Sequence, residues 1–196
     1  MFEKSFFRKE CLRKRRDMDL RDETEKISVY LYSFFKQNRY DCVGLYYPIK
    51  NEIDIRSVLL ELQSEGAIKT LALPRILNND MTFASWRFGQ SLSPDQYGIP
   101  APLASEVVCP QCLLIPCVAV DLDGYRLGYG GGWYDRMLSS QHFELTIGVV
   151  PASFICKSFV HETHDRALSG WVCENGFTWV VKPSCRCARQ GALLVV

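Results

Sequence analysis

The sequence has no run of 18 or more apolar residues, so no segment has the length expected of a membrane-spanning helix. Its N-terminal segment is basic but is not followed by an apolar stretch, which argues against a secretory signal. The formal net charge of the 196 residues is only +1, which argues against a globally basic nucleic-acid-binding protein. With 47% apolar and 23% charged residues, the composition is that of an ordinary globular domain.

The nine cysteines lack the even count and regular spacing of a disulfide framework. Cys109 and Cys112 have the spacing of a zinc-ligand pair, but the distant pair Cys185 and Cys187 is separated by one residue, which suits a structural zinc site poorly. We therefore favour buried thiols in a reduced, cytoplasmic protein, with a zinc site as the less favoured alternative.

The hydrophobic pattern predicts a single α/β domain over residues 1–181, with a mostly parallel sheet flanked by helices. Apolar residues at three- and four-residue steps predict helical structure over residues 3–37 and a second helix over 53–65, which Gly66 ends. Residues 90–110 are rich in proline and glycine and predict a loop, and residues 182–196 form a tail. Short apolar runs predict strands over residues 43–47, 69–73, 81–88, 112–121, 145–150, 171–173 and 177–181.

A glycine-rich segment gives the strongest indication of chemistry. Glycines at positions 128, 130, 131 and 132 lie between a predicted strand and a helix predicted over residues 132–140. Backbone N–H groups in such a loop, together with the helix N-terminus, can bind an anion. The loop lacks the Lys-Ser/Thr ending of a Walker motif and the spacing of a dinucleotide-binding motif, so a flexible turn without a ligand is the alternative.

Charged residues next to the glycines favour a phosphate site over a plain turn. Arg126 and Arg136 can neutralise phosphate, and Asp135 can hold Mg²⁺ between phosphates. Lys4 and Arg8 lie one helical turn apart, so both could reach one triphosphate. Taken alone, however, this pair is better explained as part of a solvated basic face, as are residues 13–16.

The segments 115–121 and 124–136 together resemble the signature of the 5-formyltetrahydrofolate cyclo-ligases, also called methenyltetrahydrofolate synthetases. Weaker similarities follow in the family's order at residues 4–9, 46–54, 147–148, 164–165 and 174–176, so the resemblance covers residues 4–176. It implies a fold like that of the NagB/RpiA/CoA-transferase-like group. Two positions depart from the family pattern: Trp133 replaces a common tyrosine, and Ala101 stands where a glutamate is expected.

The resemblance implies an enzyme that uses ATP and Mg²⁺ to cyclise 5-formyltetrahydrofolate to 5,10-methenyltetrahydrofolate, releasing ADP and phosphate. The expected partners are ATP and 5-formyltetrahydrofolate; the absence of a long apolar run and the low net charge favour neither a membrane nor a nucleic-acid partner, and we expect a monomer. Arg126 and Asp135 are the implied catalytic residues, and Asp135 and Asp165 the implied metal ligands. The implied folate-binding residues are Tyr47, Glu52, Tyr129, Gly130, Gly131, Gly132 and Trp133. The implied ATP-binding residues are Lys4, Ser5, Phe6, Phe7, Arg8, Arg126, Leu127, Gly128, Tyr129, Gly130, Gly131, Gly132, Trp133 and Tyr134.

Several of these residues also have plain structural explanations. Tyr47 could belong to the core, and Glu52 could be a surface carboxylate in a turn. His164 and Asp165 suggest a metal site, but zinc would need more fixed ligands. Two other functions stay open: a catalytically silent relative that binds nucleotide or RNA, and another ATP- or sugar-phosphate-using enzyme on the same fold.

Overall fold

The computed structural model describes residues 4–181. Its helices are α1 (Lys4–Arg16), α2 (Arg21–Gln37), α3 (Arg56–Ser64) and α4 (Trp133–Ser140), with a short 3-10 helix at Ala152–Phe154. Within this part of the chain, no helix is long and apolar enough to cross a membrane. The strands are β1 (Tyr40–Gly44), β2 (Ile68–Leu77), β3 (Asp80–Trp86), β4 (Ser93–Pro94), β5 (Pro100–Ala101), β6 (Val107–Val108), β7 (Cys112–Pro116), β8 (Ala119–Asp121), β9 (Arg126–Leu127), β10 (Leu145–Val149), β11 (Ile155–Cys156), β12 (Gly170–Cys173) and β13 (Gly176–Trp179).

An eight-stranded sheet forms the centre of the molecule, in the order β13-β12-β10-β7-β1-β2-β3-β6. The five strands from β12 to β2 run parallel, whereas β13, β3 and β6 pair antiparallel with their neighbours. Two smaller sheets have the orders β11-β8-β9 and β4-β5. This confirms the predicted α/β class with a mostly parallel sheet flanked by helices.

Hydrophobic cores cover both faces of the sheet, as strand β7 illustrates. Cys112 and Leu114 belong to the core that α2 and α3 cover, whereas Leu113 and Ile115 belong to the core that contains Cys11 of α1 and Met137 of α4. A strand buried on both faces explains why this segment reads as a continuous apolar run.

That apolar run, residues 112–121, was predicted to be one strand, and this is wrong. It forms β7 in the large sheet and β8 in the small one, because the backbone changes partners at a corner. The Cys117 N–H donates to Val149 O of β10 at 3.2 Å, whereas the next N–H, of Val118, donates to Leu127 O of β9 at 2.8 Å. This β7–β8 corner (residues 117–118) connects the central sheet to the small sheet from which the glycine loop begins.

The single helical stretch predicted over residues 3–37 is instead two helices, separated at residues 17–20. Neither proline nor glycine causes the break; instead, polar side chains form hydrogen bonds with backbone groups at this point. The Asn51 amide donates to Arg15 O at 2.7 Å and to Met18 O at 2.9 Å, and Asp19 Oδ1 accepts from Arg21 N at 3.2 Å. Such side-chain bonds compete with helical ones and set the boundary.

Strand β2 continues through Pro74, where the sequence predicted its end. Pro74 pairs with Phe83 of β3, and its missing N–H lies on the side of the strand that faces β1, where the carbonyl of Ala72 accepts from Leu45 N at 2.9 Å. The register with β1 ends at Gly44 and Ala72, so Pro74 lies beyond it. The helix predicted over residues 53–65 is present as α3, which begins three residues later than predicted, and Gly66 follows its end with a φ of 72°.

Candidate active site

The glycine loop (residues 128–132) connects β9 to α4 and requires glycine at two positions. Gly130 has a φ of 96°, and Gly132, at the start of α4, has a φ of 64°. Residues other than glycine rarely adopt these values. A Cβ added at Gly130 would lie 3.6 Å from the guanidinium carbon of Arg8, which is an ordinary van der Waals contact and not a clash.

The first turns of α1 lie against this loop. Arg8 Nε donates to Gly128 O at 2.6 Å, and Lys4 Nζ forms an ion pair with Asp165 Oδ2. Both basic side chains therefore reach the loop region from one helix. Between them, Ser5 and Phe6 are exposed, whereas Phe7 is partly buried and packs against the core.

A buried arginine supports the start of α4. The Arg126 side chain is only 4% exposed, and its Nη2 lies 2.9 Å from Asp135 Oδ1. Its Nη1 donates to Arg166 O at 3.0 Å, and the Arg166 N–H donates to Asp135 Oδ1 at 3.2 Å. The Tyr134 ring lies 5.8 Å from the Arg126 guanidinium. The arrangement holds a cation in a largely desolvated position beside the glycine loop, where it interacts strongly with nearby charge.

The backbone at Arg166 also brings the two predicted metal ligands near each other, because Arg166 bonds Asp135 and directly follows Asp165. Burial acts to raise the pKa of Asp165, but the hydrogen bonds from Glu162 N–H and from Lys4 outweigh it, so the pKa is lowered. Candidate ligand atoms of Glu162, His164 and Asp165 lie within 4.8 Å of one another. This group includes Asp165 but not Asp135. Carboxylate oxygens suit Mg²⁺, so each aspartate has the ligand chemistry that this ion prefers.

Glu52 lies in the turn after β1 and is not a surface carboxylate. Its Oε2 accepts from Ile49 N at 2.8 Å, while its Oε1 is buried without a hydrogen-bond partner among residues 4–181. Burial is the main reason why the pKa of Glu52 is raised to about 7. Tyr129 of the glycine loop is close enough to influence this carboxylate, and its own hydroxyl is likewise buried without a partner in this part of the chain. The Lys50 ammonium lies 4.9 Å from the centre of the Tyr129 ring.

The other two aromatic residues of the predicted folate site have arginine neighbours. The Arg56 guanidinium lies 4.2 Å from the centre of the Tyr47 ring, and that of Arg136 lies 4.3 Å from Trp133. Tyr47 is only partly buried; it is the preceding residue, Tyr46, that lies in the core and donates to Ile53 O at 2.6 Å. The arginine contact of Tyr47 is thus with α3 rather than with the glycine loop.

Sequence reasoning missed Arg15. Residues 13–16 were predicted to form a solvated basic face, and this is wrong for Arg15, which is 1% exposed. Its Nη2 donates to Cys117 O at 2.7 Å and to Val118 O at 2.9 Å, both in the β7–β8 corner. The signal was present in the spacing, because Phe7, Cys11 and Arg15 follow one another at four-residue steps and therefore share the inward face of α1.

Two surface clefts lie beside this cluster, and residues of the glycine loop line neither of them. One, of about 410 Å³, lies between α1 and the segment around Phe154; the other, of about 440 Å³, lies at the junction of α1 and α2 and reaches Glu52. We place the candidate site by its converging charged groups and backbone amides, because a phosphate-binding loop can lie on an open surface.

The cysteines of residues 4–181 are free thiols. Cys11, Cys112, Cys117 and Cys173 are buried, and burial raises the pKa of the Cys117 thiol to about 12. Cys109 is exposed, although it lies only three positions before the buried Cys112. Cys185 and Cys187 lie outside the described residues.

Relatives of known name support the assignment of the family. The sequence model of the 5-formyltetrahydrofolate cyclo-ligase family matches residues 1–174. A protein of Mycoplasma pneumoniae named 5-formyltetrahydrofolate cyclo-ligase is 27% identical over 140 residues, which cover 69% of this chain and 77% of the relative. The protein of the same name from Mycoplasma genitalium is 26% identical over 179 residues, covering 88% and 99% of the two chains.

Solved structures agree with these sequence matches. The NMR structure of the Aquifex aeolicus 5,10-methenyltetrahydrofolate synthetase superposes with a TM-score of 0.77 at 29% identity, covering 98% of this chain and 96% of that one. A 5,10-methenyltetrahydrofolate synthetase from Mycoplasma pneumoniae has the same fold, with a TM-score of 0.73 at 23% identity over 88% and 99% of the chains. The chain described here therefore belongs to the 5-formyltetrahydrofolate cyclo-ligase family.

Proposed function

We propose that this protein cyclises 5-formyltetrahydrofolate to 5,10-methenyltetrahydrofolate with the cleavage of ATP to ADP and phosphate. The observation that carries the proposal is the buried Arg126–Asp135 pair beside a glycine loop that two basic residues of α1 approach. Family membership supports the same reaction.

ATP binds with its phosphates at the glycine loop. Backbone N–H groups of this loop and the N-terminus of α4 offer hydrogen bonds to phosphate oxygens without a Cβ in the way. Lys4, Arg8 and Arg126 add positive charge from two sides of the loop. The ATP site thus consists of residues 4–8 and 126–134.

Asp135 and Asp165 would hold Mg²⁺, since both offer carboxylate oxygens and the backbone at Arg166 keeps them near each other. When bound, the ion supplies charge neutralisation to the phosphates. In the ion-free protein, Arg126 and Lys4 balance the two carboxylates. Lys4 can then turn toward phosphate when metal and nucleotide bind, whereas Arg126 stays beside Asp135.

The folate binds against Glu52, Tyr129, the rest of the glycine loop and Trp133, with Tyr47 at the outer end. A buried carboxylate oxygen without a partner is a strong acceptor for N–H groups of the folate ring system, because burial without a hydrogen bond is unfavourable. Aromatic side chains of the loop offer flat faces for stacking. Folate and phosphates therefore meet at the same short segment.

The reaction exchanges a C–O bond for a C–N bond. The formyl oxygen attacks the γ-phosphorus and ADP leaves, which gives an imino-phosphate of the folate. The neighbouring folate nitrogen then bonds to the activated carbon, phosphate leaves with the former formyl oxygen, and the nitrogen loses its proton. Positioning and charge stabilisation account for most of the catalysis of such phosphoryl transfer.

Within this reaction Arg126 stabilises the negative charge that develops on the transferred phosphoryl group. Its burial makes this interaction stronger than one in water, and Asp135 and Arg166 O hold the guanidinium in place. Asp135 therefore acts twice, as a partner of Arg126 and as a metal ligand.

The test is the absorbance of 5,10-methenyltetrahydrofolate formed by purified protein with and without ATP. We expect ATP-dependent product from the wild type and a loss of at least about 100-fold in kcat for Arg126→Gln. Arg75→Gln is the matched control, because Arg75 also donates to a backbone carbonyl, that of Leu103 at 2.7 Å, but lies outside the site. ATP binding by the wild type without turnover would instead indicate a catalytically silent relative.

A further inference from the structure

Three buried polar atoms without hydrogen-bond partners among residues 4–181 lie on segments that meet at the folate side of the site. They are Arg15 Nε, Glu52 Oε1 and the Tyr129 hydroxyl. Burial of such groups is unfavourable unless a partner is gained, so they rarely occur together by chance. The pKa of Tyr129 is raised first by burial and then by Glu52, and Arg15 opposes this rise, so the three side chains lie close to one another.

Arg15 is fixed by its backbone contacts rather than by an ion pair. Its Nη2 bonds two carbonyls of the β7–β8 corner, and its guanidinium lies 4.7 Å from the centre of the Phe154 ring. None of the ion pairs found within residues 4–181 includes Arg15. The positive charge of Arg15 is therefore buried, and no carboxylate within residues 4–181 forms an ion pair with it. A buried charge interacts with other charges over longer distances than an exposed one.

The turn that carries Glu52 is attached to the same end of α1. Lys50 and Asn51 have φ values of 48° and 60°, and the Asn51 amide donates to the carbonyls of Arg15 and Met18. The Arg15 backbone thus fixes the turn, while its side chain fixes the β7–β8 corner that precedes the glycine loop. One residue connects the three segments that form the folate side.

We propose that Arg15 is a positioning residue for the folate: its buried cation keeps the Glu52 carboxylate negatively charged beside Tyr129, ready to accept N–H groups of the substrate ring. The inference rests on the proposed function, and it adds a residue that does not itself touch the substrate. Arg15 lies about two helical turns beyond the segment that approaches ATP, so α1 serves both substrates.

The groups around Glu52 decide its charge. Lys50 lies in the same turn, Arg15 on α1, Tyr129 in the glycine loop, and Tyr46, Tyr134 and Cys117 on the adjoining elements. Burial raises the pKa of Glu52 to about 7; the Ile49 N–H, the Tyr129 hydroxyl and then the charges of Arg15 and Lys50 oppose this rise. Lys50 is exposed and screened by water, whereas Arg15 is buried. Loss of the Arg15 charge should therefore raise this pKa further.

The experiment compares Arg15→Lys with Arg15→Gln, since both can donate to the Cys117 and Val118 carbonyls but only lysine keeps the charge. kcat/KM for 5-formyltetrahydrofolate is measured from about pH 5.5 to about pH 9 at saturating ATP. For the wild type we expect a rise with pH centred near the pKa of Glu52, about 7. Arg15→Lys should keep this midpoint.

Arg15→Gln should move the midpoint upward by about one pH unit, which lowers kcat/KM for the folate about tenfold below pH 7 and leaves the KM for ATP unchanged. Arg16, the exposed neighbour of Arg15, provides the control: Arg16→Gln should have the same midpoint and the same kcat/KM as the wild type. If Arg15→Gln does not fold, citrulline at position 15 removes the same charge while keeping the shape of the side chain.

An unmoved midpoint in folded, charge-free protein would refute the inference and assign Arg15 to stability alone, even if the melting temperature fell. This outcome is distinct from failure of the proposed function, in which the wild type itself would show no ATP-dependent turnover. A shifted midpoint that Arg15→Lys does not share would support the role of the charge.

Discussion

Substitution of Gly130 by alanine tests whether the glycine loop approaches ATP. At a φ of 96° the new Cβ strains the backbone, which costs about 1–3 kcal/mol. Apart from the two chain neighbours, no atom of residues 4–181 lies closer than 3.6 Å to that Cβ. Steric overlap therefore adds little to the loss of stability. For a chain of this size, the loss corresponds to a fall in melting temperature of roughly 2–12 °C if the loop keeps its conformation.

The more informative effect is on ATP. Relief of the strain would turn the N–H groups of the loop away from the phosphates, and one lost hydrogen bond to a charged group amounts to about 1.5–3 kcal/mol. We therefore expect the KM for ATP to rise about 10- to 150-fold, while the protein stays folded at 25 °C.

Gly89→Ala is the matched control. Gly89 has a φ of 73°, it is exposed in the loop after β3, and a Cβ added there would meet no described atom within 4 Å beyond its chain neighbours. Both variants should lose similar stability, measured by thermal unfolding, but only Gly130→Ala should lose affinity for ATP, measured by steady-state kinetics and by titration with a non-hydrolysable analogue. Equal ATP affinities in the two variants would refute the loop as the phosphate site.

Three further predictions follow from the site and the cysteines. Asp135→Asn should lower Mg²⁺-ATP-dependent turnover at least about 100-fold with a nearly unchanged melting temperature, because the amide oxygen still accepts from Arg126; near-wild-type turnover would remove Asp135 from the site. Since the pKa of Glu52 is raised from 4.5 to about 7, the folded protein binds more protons than the unfolded chain between these values, and stability falls by about 3 kcal/mol as the pH rises through this window. Glu52→Gln should therefore melt above the wild type at about pH 8 but near it at about pH 4, with weaker folate binding; equal melting curves at both pH values would contradict this. The protein should keep its activity in excess reductant and its fold after chelation, with no stoichiometric zinc by elemental analysis; zinc that survives chelation and is needed for folding would overturn this.

Helices and strands could be predicted where the hydrophobic periodicity, or a position that requires glycine, was compatible with only one type of element. The helix α3 with Gly66 at its end and the buried strand β10 are examples. The division of residues 112–121 into two strands could not be predicted, because both strands are almost entirely apolar and only long-range partners, β10 and β9, distinguish them. The break after α1 likewise depends on Asn51, which is distant in sequence.

The glycine loop and its flanking charges could be predicted as a candidate site, because glycines, arginine and aspartate lie within one short segment. The burial of Arg15 could not be read from its charge, which predicts exposure, although its spacing from Cys11 placed it on the inward face. Glu52 shows the same limit: its sequence context suggests an exposed turn, whereas in the structure its Oε1 is buried.

The most direct test of the proposed reaction follows the oxygen of the formyl group. 5-Formyltetrahydrofolate labelled with ¹⁸O in the formyl group is converted in the presence of ATP and Mg²⁺, and the released phosphate is examined by ³¹P NMR and mass spectrometry. The account predicts one ¹⁸O atom in the phosphate for each 5,10-methenyltetrahydrofolate formed, because the formyl oxygen bonds to the γ-phosphorus before it leaves. Phosphate without the label, or product that forms equally well without ATP, would contradict it.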